Sequence, residues 1–119
     1  MAFDWSEYLN LARLLTFDPD FIAHREAKLR SAVSRAYYAA FCLTRNYALA
    51  SSDFVPTGTS ADHSLLREHV SAQGDLELSR SLDQLRRWRN CCDYDDDVPD
   101  LEDVVQGAIE QAEYVVAQL

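Results

Sequence analysis

Between Asp20 and Ala50 the chain contains neither glycine nor proline. Its inner apolar residues fall at Leu29, Val33, Ala36, Ala40, Leu43 and Tyr47, in steps of four, three, four, three and four. That is the seam of a helix packed lengthwise against other helices, not the two-residue alternation of a strand. A second stripe, Ala32, Ala36 and Ala39, is small enough to let another backbone approach closely.

The rest of the chain reads the same way. Asp4 followed three residues later by Glu7 has the spacing of a capping box, and Trp5, Tyr8, Leu9, Ala12 and Leu15 continue a helical step, which predicts a first helix over about 4–16. Pro19 breaks it, and Asp20 is the expected cap of the long second helix. "SSDFVPTGTS" is a loop. Ser60 is the expected cap of a third helix reaching about Gln73, and Gly74 ends it. Asp75 caps a fourth, with Leu78, Leu82, Leu85, Trp88 and Cys92 facing inward, until the aspartates at 95–97 and Pro99 stop it. Asp100 caps a fifth, whose inner face is Leu101, Val105, Ala108, Ile109, Ala112, Val115 and Leu119. Asp100, Glu102 and Asp103 lie in its first turn, where carboxylates suit the helix dipole. With no repeat and no strand-like stretch, the expectation is a single all-α domain over 1–119: an up-and-down bundle of four long helices plus a short one.

The formal net charge is −9, with ten arginines against a single lysine, Lys28. A protein that grips nucleic acid by general electrostatics needs clustered cations, so this balance argues against that class while leaving room for a local basic patch. Three cysteines, two of them adjacent, make no disulfide framework. The opening "MAFDWSEYLN" is acidic and unlike a targeting segment, and no apolar run is long enough to span a membrane, so the expected location is the cytoplasm, with no membrane contact.

"LRRWRNCCDYDDD", residues 85–97, joins three arginines to a run of aspartates. Arg86 and Arg89 are three apart and share a helix face, where two guanidinium groups can hold one phosphate; Arg87 points elsewhere. The ordinary alternative is ion pairing with the aspartates downstream. Asp93, Asp95 and Asp97 alternate as at the start of a calcium loop, but Val98 and Val104 stand where that loop needs glycine and glutamate. His24, His63 and His69 lack the i+3 or i+4 partner of a helical zinc pair. No metal and no cofactor are expected. One of Cys91 and Cys92 should pack inward as a small apolar group. Of the adjacent Tyr37 and Tyr38, one should enter the core while the other, Tyr38, sits at a cleft near the fourth helix.

"SAVSRAYYAAFCLTRNYAL" resembles the signature of the HEPN domains, small helical bundles, and in particular their short stand-alone prokaryotic members. Ser34, Arg35, Ala36, Tyr37, Tyr38, Ala39 and Phe41 carry the resemblance, "RWRNCCDYD" is similar to the second block of that family, and His63 after the long loop also fits. The resemblance spans about residues 5–118. It implies a homodimer, with helices 2 and 4 at its interface. It further implies either a metal-independent ribonuclease or toxin with an Arg-x(4–6)-His motif, a partner of a minimal nucleotidyltransferase in a toxin–antitoxin pair, or a nucleotide-binding module. Counted from Arg89, the motif's histidine would fall at 94–96, which are Tyr94, Asp95 and Asp96, so the ribonuclease histidine is absent. The expected function is therefore a nucleotide- or RNA-associated module. Arg35, Tyr38, Arg86 and Arg89 are its nucleotide-binding candidates. The alternatives are a ribonuclease rebuilt around Arg89 and a purely structural interaction bundle. Cleavage through the 2′-hydroxyl needs a base, a donor for the leaving oxygen and a cation at the phosphate. Arg89, Asn90, Asp93 and Tyr94 are the candidates for that work, with Arg89 as the cation and Asp93 as the base.

Overall fold

The computed structural model describes residues 2–17 and 24–119. The described residues form five helices and no strand: α1 (Ser6–Thr16), α2 (Arg25–Ser51), α3 (Asp62–Ala72), α4 (Leu76–Tyr94) and α5 (Leu101–Gln118). The all-α bundle is therefore as the periodicity requires, with α2, α4 and α5 long and α1 and α3 of 11 residues each. The expected break at Pro19 and cap at Asp20 lie outside the described residues. No helix among them is long and apolar enough to cross a membrane.

α2 is the axis of the molecule. Its 27 residues rise about 40 Å at 1.5 Å each, most of the 46 Å long dimension. It packs against α1 on one side, α5 on another and α4 on a third, while α3 leans mainly on α4. Accordingly its buried residues go well beyond one stripe: Leu29, Ala32, Val33, Ala36, Tyr37, Ala39, Ala40, Phe41, Cys42, Thr44 and Ala48. The alanines at 32, 36 and 39 are fully covered, which is the close approach their size allows. Near the C-terminal end Thr44 and Ala48 are the buried residues, facing His69, Val70 and Leu78 across a small cavity that Tyr47 also lines. Leu43 is consequently half-buried and Tyr47, expected inside, is 49% exposed.

The helix ends follow the sequence in place more than in mechanism. Asp75 caps α4 by accepting the Leu78 N–H at 3.2 Å. Gly74, at φ +92, closes α3 with the Asp75 N–H donating to the Val70 carbonyl at 3.2 Å. Three expected caps differ. Asp4 accepts from the Ser6 N–H and hydroxyl at 3.0 and 2.6 Å instead of forming a box with Glu7. The Ser60 side chain does not cap α3; Asp62 reaches back to the Thr57 N–H, the Thr57 hydroxyl and the Gly58 N–H at 2.7, 2.6 and 2.9 Å, pinning the loop. Asp100 holds the cap position of α5 in a left-handed conformation but accepts no side-chain bond.

The acidic run is tied down through its backbone. The Arg30 guanidinium donates to the Cys92, Asp95 and Asp96 carbonyls at 3.0, 2.5 and 3.0 Å. A cation thus sits at the C-terminal end of α4, where the helix dipole favours one, and the carboxylates of 95–97 stay exposed. Cys92 is the inward cysteine, and burial pushes its thiol up to about 11. One turn earlier on the same face of α4, the Trp88 ring packs against α5 where Gly107 leaves room for it.

Candidate functional site: an arginine-rich junction of α2, α3 and α4

Tyr37 and Tyr38 leave α2 in different directions, as neighbours on a helix must. Tyr37 is 1% exposed. Its hydroxyl is hydrogen-bonded to His63 Nδ1 at the start of α3. The His63 ring stacks on Phe41 with centroids 4.2 Å apart and 18° between planes. Tyr38 is half-buried, with its ring edge toward Tyr37. From α4, Arg89 lays its guanidinium 5.2 Å from the Tyr37 ring centre and 5.4 Å from the Tyr38 ring centre. Both faces attract a cation through the ring quadrupole.

The proton positions at this pair follow from counting. Among the described residues the Tyr37 hydroxyl has no acceptor other than His63 Nδ1, and the residue is almost fully covered. The phenol proton therefore lies in that bond, Nδ1 accepts it, and the neutral imidazole carries its own hydrogen on Nε2. Burial pushes the Tyr37 phenol up to about 12, outweighing the pull of Arg89 and Arg67, so it stays a donor. Burial also lowers the His63 pKa, and the charges of Arg89, Arg67 and Arg86 add to this against the opposing Asp62. His63 is thus held neutral, as an N–H donor beside a cluster of cations.

Arg89 is the least satisfied of these groups. Its side chain is 12% exposed, its nearest carboxylate is Asp93 at 3.6 Å, and its buried Nε has no hydrogen-bond partner. The covered guanidinium therefore keeps a donor to spare between two aromatic faces, with one carboxylate at 3.6 Å, and that leaves it short of acceptors.

The other arginines meet at one carboxylate. Asp83 is 3.0 Å from Arg86 Nη2, 3.0 Å from Arg87 Nε and 3.6 Å from Arg67 Nε. Partial desolvation pushes its pKa up, but the Arg86 hydrogen bond and the Arg87, Arg86 and Arg67 charges outweigh it and hold the carboxyl below its usual range. Expected pairing with the downstream aspartates occurs only for Arg89 with Asp93; Arg86 and Arg87 turn upstream, because Asp83 lies three and four residues before them on the same surface.

Of the residues singled out from sequence, the junction gathers Tyr38, Arg89 and Asp93, with Arg86 close enough for its charge to act on His63 and Tyr37. Arg35 lies elsewhere, with its guanidinium 4.8 Å from the Tyr8 ring centre of α1. Tyr94 is 76% exposed, and neither it nor Asn90 makes a side-chain hydrogen bond among the described residues. No group of His, Cys, Asp and Glu side chains among the described residues is arranged to hold a metal. Arg67 and Asp83 were not singled out, although the spacing of Asp83 to Arg86 and Arg87 is a readable ion-pair signal. The second histidine of α3, His69, is engaged elsewhere, with its Nε2 2.7 Å from the Ser52 hydroxyl and its ring against Phe54. No family model, curated protein or solved structure matches the chain.

Proposed function

We propose that this chain is a HEPN-like helical module that binds RNA or a nucleotide, with the α2–α3–α4 junction as its phosphate site. The observation that carries the reading is Arg89: a nearly covered cation with an unpartnered Nε, beside a neutral His63 that presents an N–H. Arg86 adds its charge from its pair with Asp83, and the partly exposed Tyr38 offers a ring to a base. The same reading takes the protein as a cytoplasmic homodimer that pairs with a nucleotidyltransferase-type partner in a toxin–antitoxin unit.

Recognition is favoured over ribonuclease chemistry by the proton count. A general base needs a bare nitrogen; His63 has given its free lone pair to the Tyr37 phenol and keeps a hydrogen on Nε2. Labelled single-stranded RNA incubated in chelator with the wild type and with Arg89→Ala tests both readings on one gel. The expected result is retention without cleavage, weakened at least about tenfold by the substitution, the loss of one charge-assisted contact of more than 1.4 kcal/mol. Cleavage that Arg89→Ala abolishes would replace the module with a rebuilt ribonuclease. No retention at moderate salt would leave a protein-interaction bundle. Light scattering at micromolar concentration tests the homodimer.

A further inference from the structure

Half of the chain's ten arginines, Arg67, Arg80, Arg86, Arg87 and Arg89, fall on α3 and α4. The groove between these helices, about 350 Å³, is lined by Arg67, Ser79, Arg80, Asp83, Gln84 and Arg87. Residues 80, 83, 84 and 87 stand at helical spacing on one face of α4, and Arg67 reaches them from α3. The two helices are tied there by the Ser79 hydroxyl donating to the Arg67 carbonyl at 3.0 Å. Arg67 also donates to the His63 carbonyl at 3.0 Å, so the groove runs on from the junction rather than standing apart from it.

The charges in this groove do not cancel. Arg67, Arg86 and Arg87 share the single carboxylate of Asp83, and Arg80 has only Glu77, at 3.7 Å and with both side chains largely exposed. Among the residues that line the groove, three cations, Arg67, Arg80 and Arg87, face the single carboxylate of Asp83, on a chain whose net charge is −9. Arg80 and Arg87 are separated by about 10 Å along the helix axis, seven residues at 1.5 Å each. That is too far apart for one phosphate and suits a backbone that carries several. Three guanidinium groups fanned about one carboxylate are also already placed for a tetrahedral oxyanion, with Asp83 in the position such an anion would take.

We infer that the α3–α4 groove is a second phosphate subsite, built from Arg67, Arg80 and Arg87 around Asp83, and that the ligand is a single-stranded polynucleotide rather than a mononucleotide. The inference rests on the proposed phosphate site at Arg89 and extends it along the surface. Asp83 is the internal counter-ion that a backbone phosphate displaces. An acidic peptide would meet the same cations, but the half-buried Tyr38 and His63 rings at one end of the track match a base better than a carboxylate chain.

The test compares a fluorescein-labelled 12-nucleotide RNA with the corresponding mononucleotide on the intact protein. The variants are Arg80→Ala/Arg87→Ala, both exposed positions, and Arg89→Ala, with circular dichroism confirming each fold. The 12-mer should bind at least about tenfold tighter than the mononucleotide, and the plot of log K against log salt should flatten by about 1.4 in the double variant, about 0.7 per lost contact to a single strand. Mononucleotide affinity should not change in that variant. Asp83→Asn, which keeps the shape and removes the competing charge, should tighten the 12-mer several-fold at low salt. A 12-mer that binds no tighter than the mononucleotide, or a double variant with an unchanged salt slope, would overturn the groove while leaving the Arg89 site standing. Loss of 12-mer binding in the double variant with no effect of Arg89→Ala would sustain the groove and remove the Arg89 reading. Weaker binding by Asp83→Asn would overturn the displacement of Asp83. Binding of neither ligand would remove both.

Discussion

Tyr37→Phe removes one oxygen from the centre of the junction, and its consequences can be worked through. The phenol makes one hydrogen bond, to His63 Nδ1, from a residue that is 1% exposed. Phenylalanine fills the same volume, so no cavity opens, and the ring contacts with Phe41, His63 and Arg89 remain available. What is lost is the net worth of the bond, about 1 kcal/mol, or about 4 °C in Tm for a domain of this size. Because His63 is only partly buried, water can reach part of its ring and the loss should not approach the cost of a fully orphaned acceptor. The bond also stabilises the neutral imidazole, so its removal should raise the His63 pKa toward the usual histidine value, although burial and the three arginines still oppose protonation. Nitrogen-detected NMR of the wild-type ring should give a pyridine-like Nδ1 and a pyrrole-like Nε2 in neutral solution. A double-mutant cycle with His63→Gln should return a coupling of about 1 kcal/mol by urea denaturation. A protonated Nδ1 in the wild type, or additive single substitutions, would refute the proton count and with it the argument for recognition over catalysis.

Gly107→Ala ordinarily gains about 1 kcal/mol in a helix interior, but here the new methyl would stand 2.8 Å from Trp88 Cη2, and overpacking costs about 1–3 kcal/mol. A net loss of about 1 kcal/mol is expected, and it should become a gain in a Trp88→Phe background, both read by thermal denaturation. Stability should fall as pH drops below the unfolded histidine value of 6.5, because the unfolded chain takes up a proton that folded His63 resists; urea midpoints should lose this slope in His63→Gln. The lowered carboxyls of Asp62 and Asp83 give a separate loss at lower pH, through and below their unfolded value of 3.8. Asp62→Ala should free the loop before α3, seen as faster amide exchange at Thr57 and Gly58, whose N–H groups it holds at 2.7 and 2.9 Å.

The elements were legible because helical periodicity and breakers are local. The step from Leu29 to Ala40 and the Gly74–Asp75 stop with its cap are decided within a few residues, and both are where the spacing places them. The exposed Tyr47 was not legible, since whether a face at the end of α2 is covered depends on where α3 and α4 arrive. Ser60 has the right chemistry for a cap, but α3 begins two residues later, and the Asp62 side chain is used to hold the loop because the loop folds back to bring Thr57 and Gly58 within its reach. The site was half legible. Arg89, Arg86 and Tyr38 follow from spacing and resemblance. His63 is separated from Arg89 by most of α3, a turn and much of α4, so no linear motif could pair them, while Asn90, next to Arg89, makes no side-chain hydrogen bond among the described residues and Tyr94, five residues on, is exposed.

The distribution of charge bears on why a strongly acidic chain would carry such a face. Arg30 consumes its charge on backbone carbonyls, and Arg13 and Arg25 pair with Glu113 and Glu102 of α5, so the cations on that side are spent holding helices together. The carboxylates of 95–97, and of Asp100 and Asp103 at the start of α5, are exposed. On the α3–α4 side three arginines, Arg67, Arg86 and Arg87, gather on the one carboxylate of Asp83. On the proposed reading, a polyanion approaching the molecule would be repelled over most of the surface and attracted at the groove, so electrostatics would supply orientation instead of general adhesion. The same arrangement makes non-specific binding weak. Replacing Asp95, Asp96 and Asp97 together by Asn should therefore raise RNA retention away from the groove, measured as binding that Arg80→Ala/Arg87→Ala no longer removes. Retention that stays fully sensitive to those two arginines in the triple variant would show that the acidic run has no part in steering.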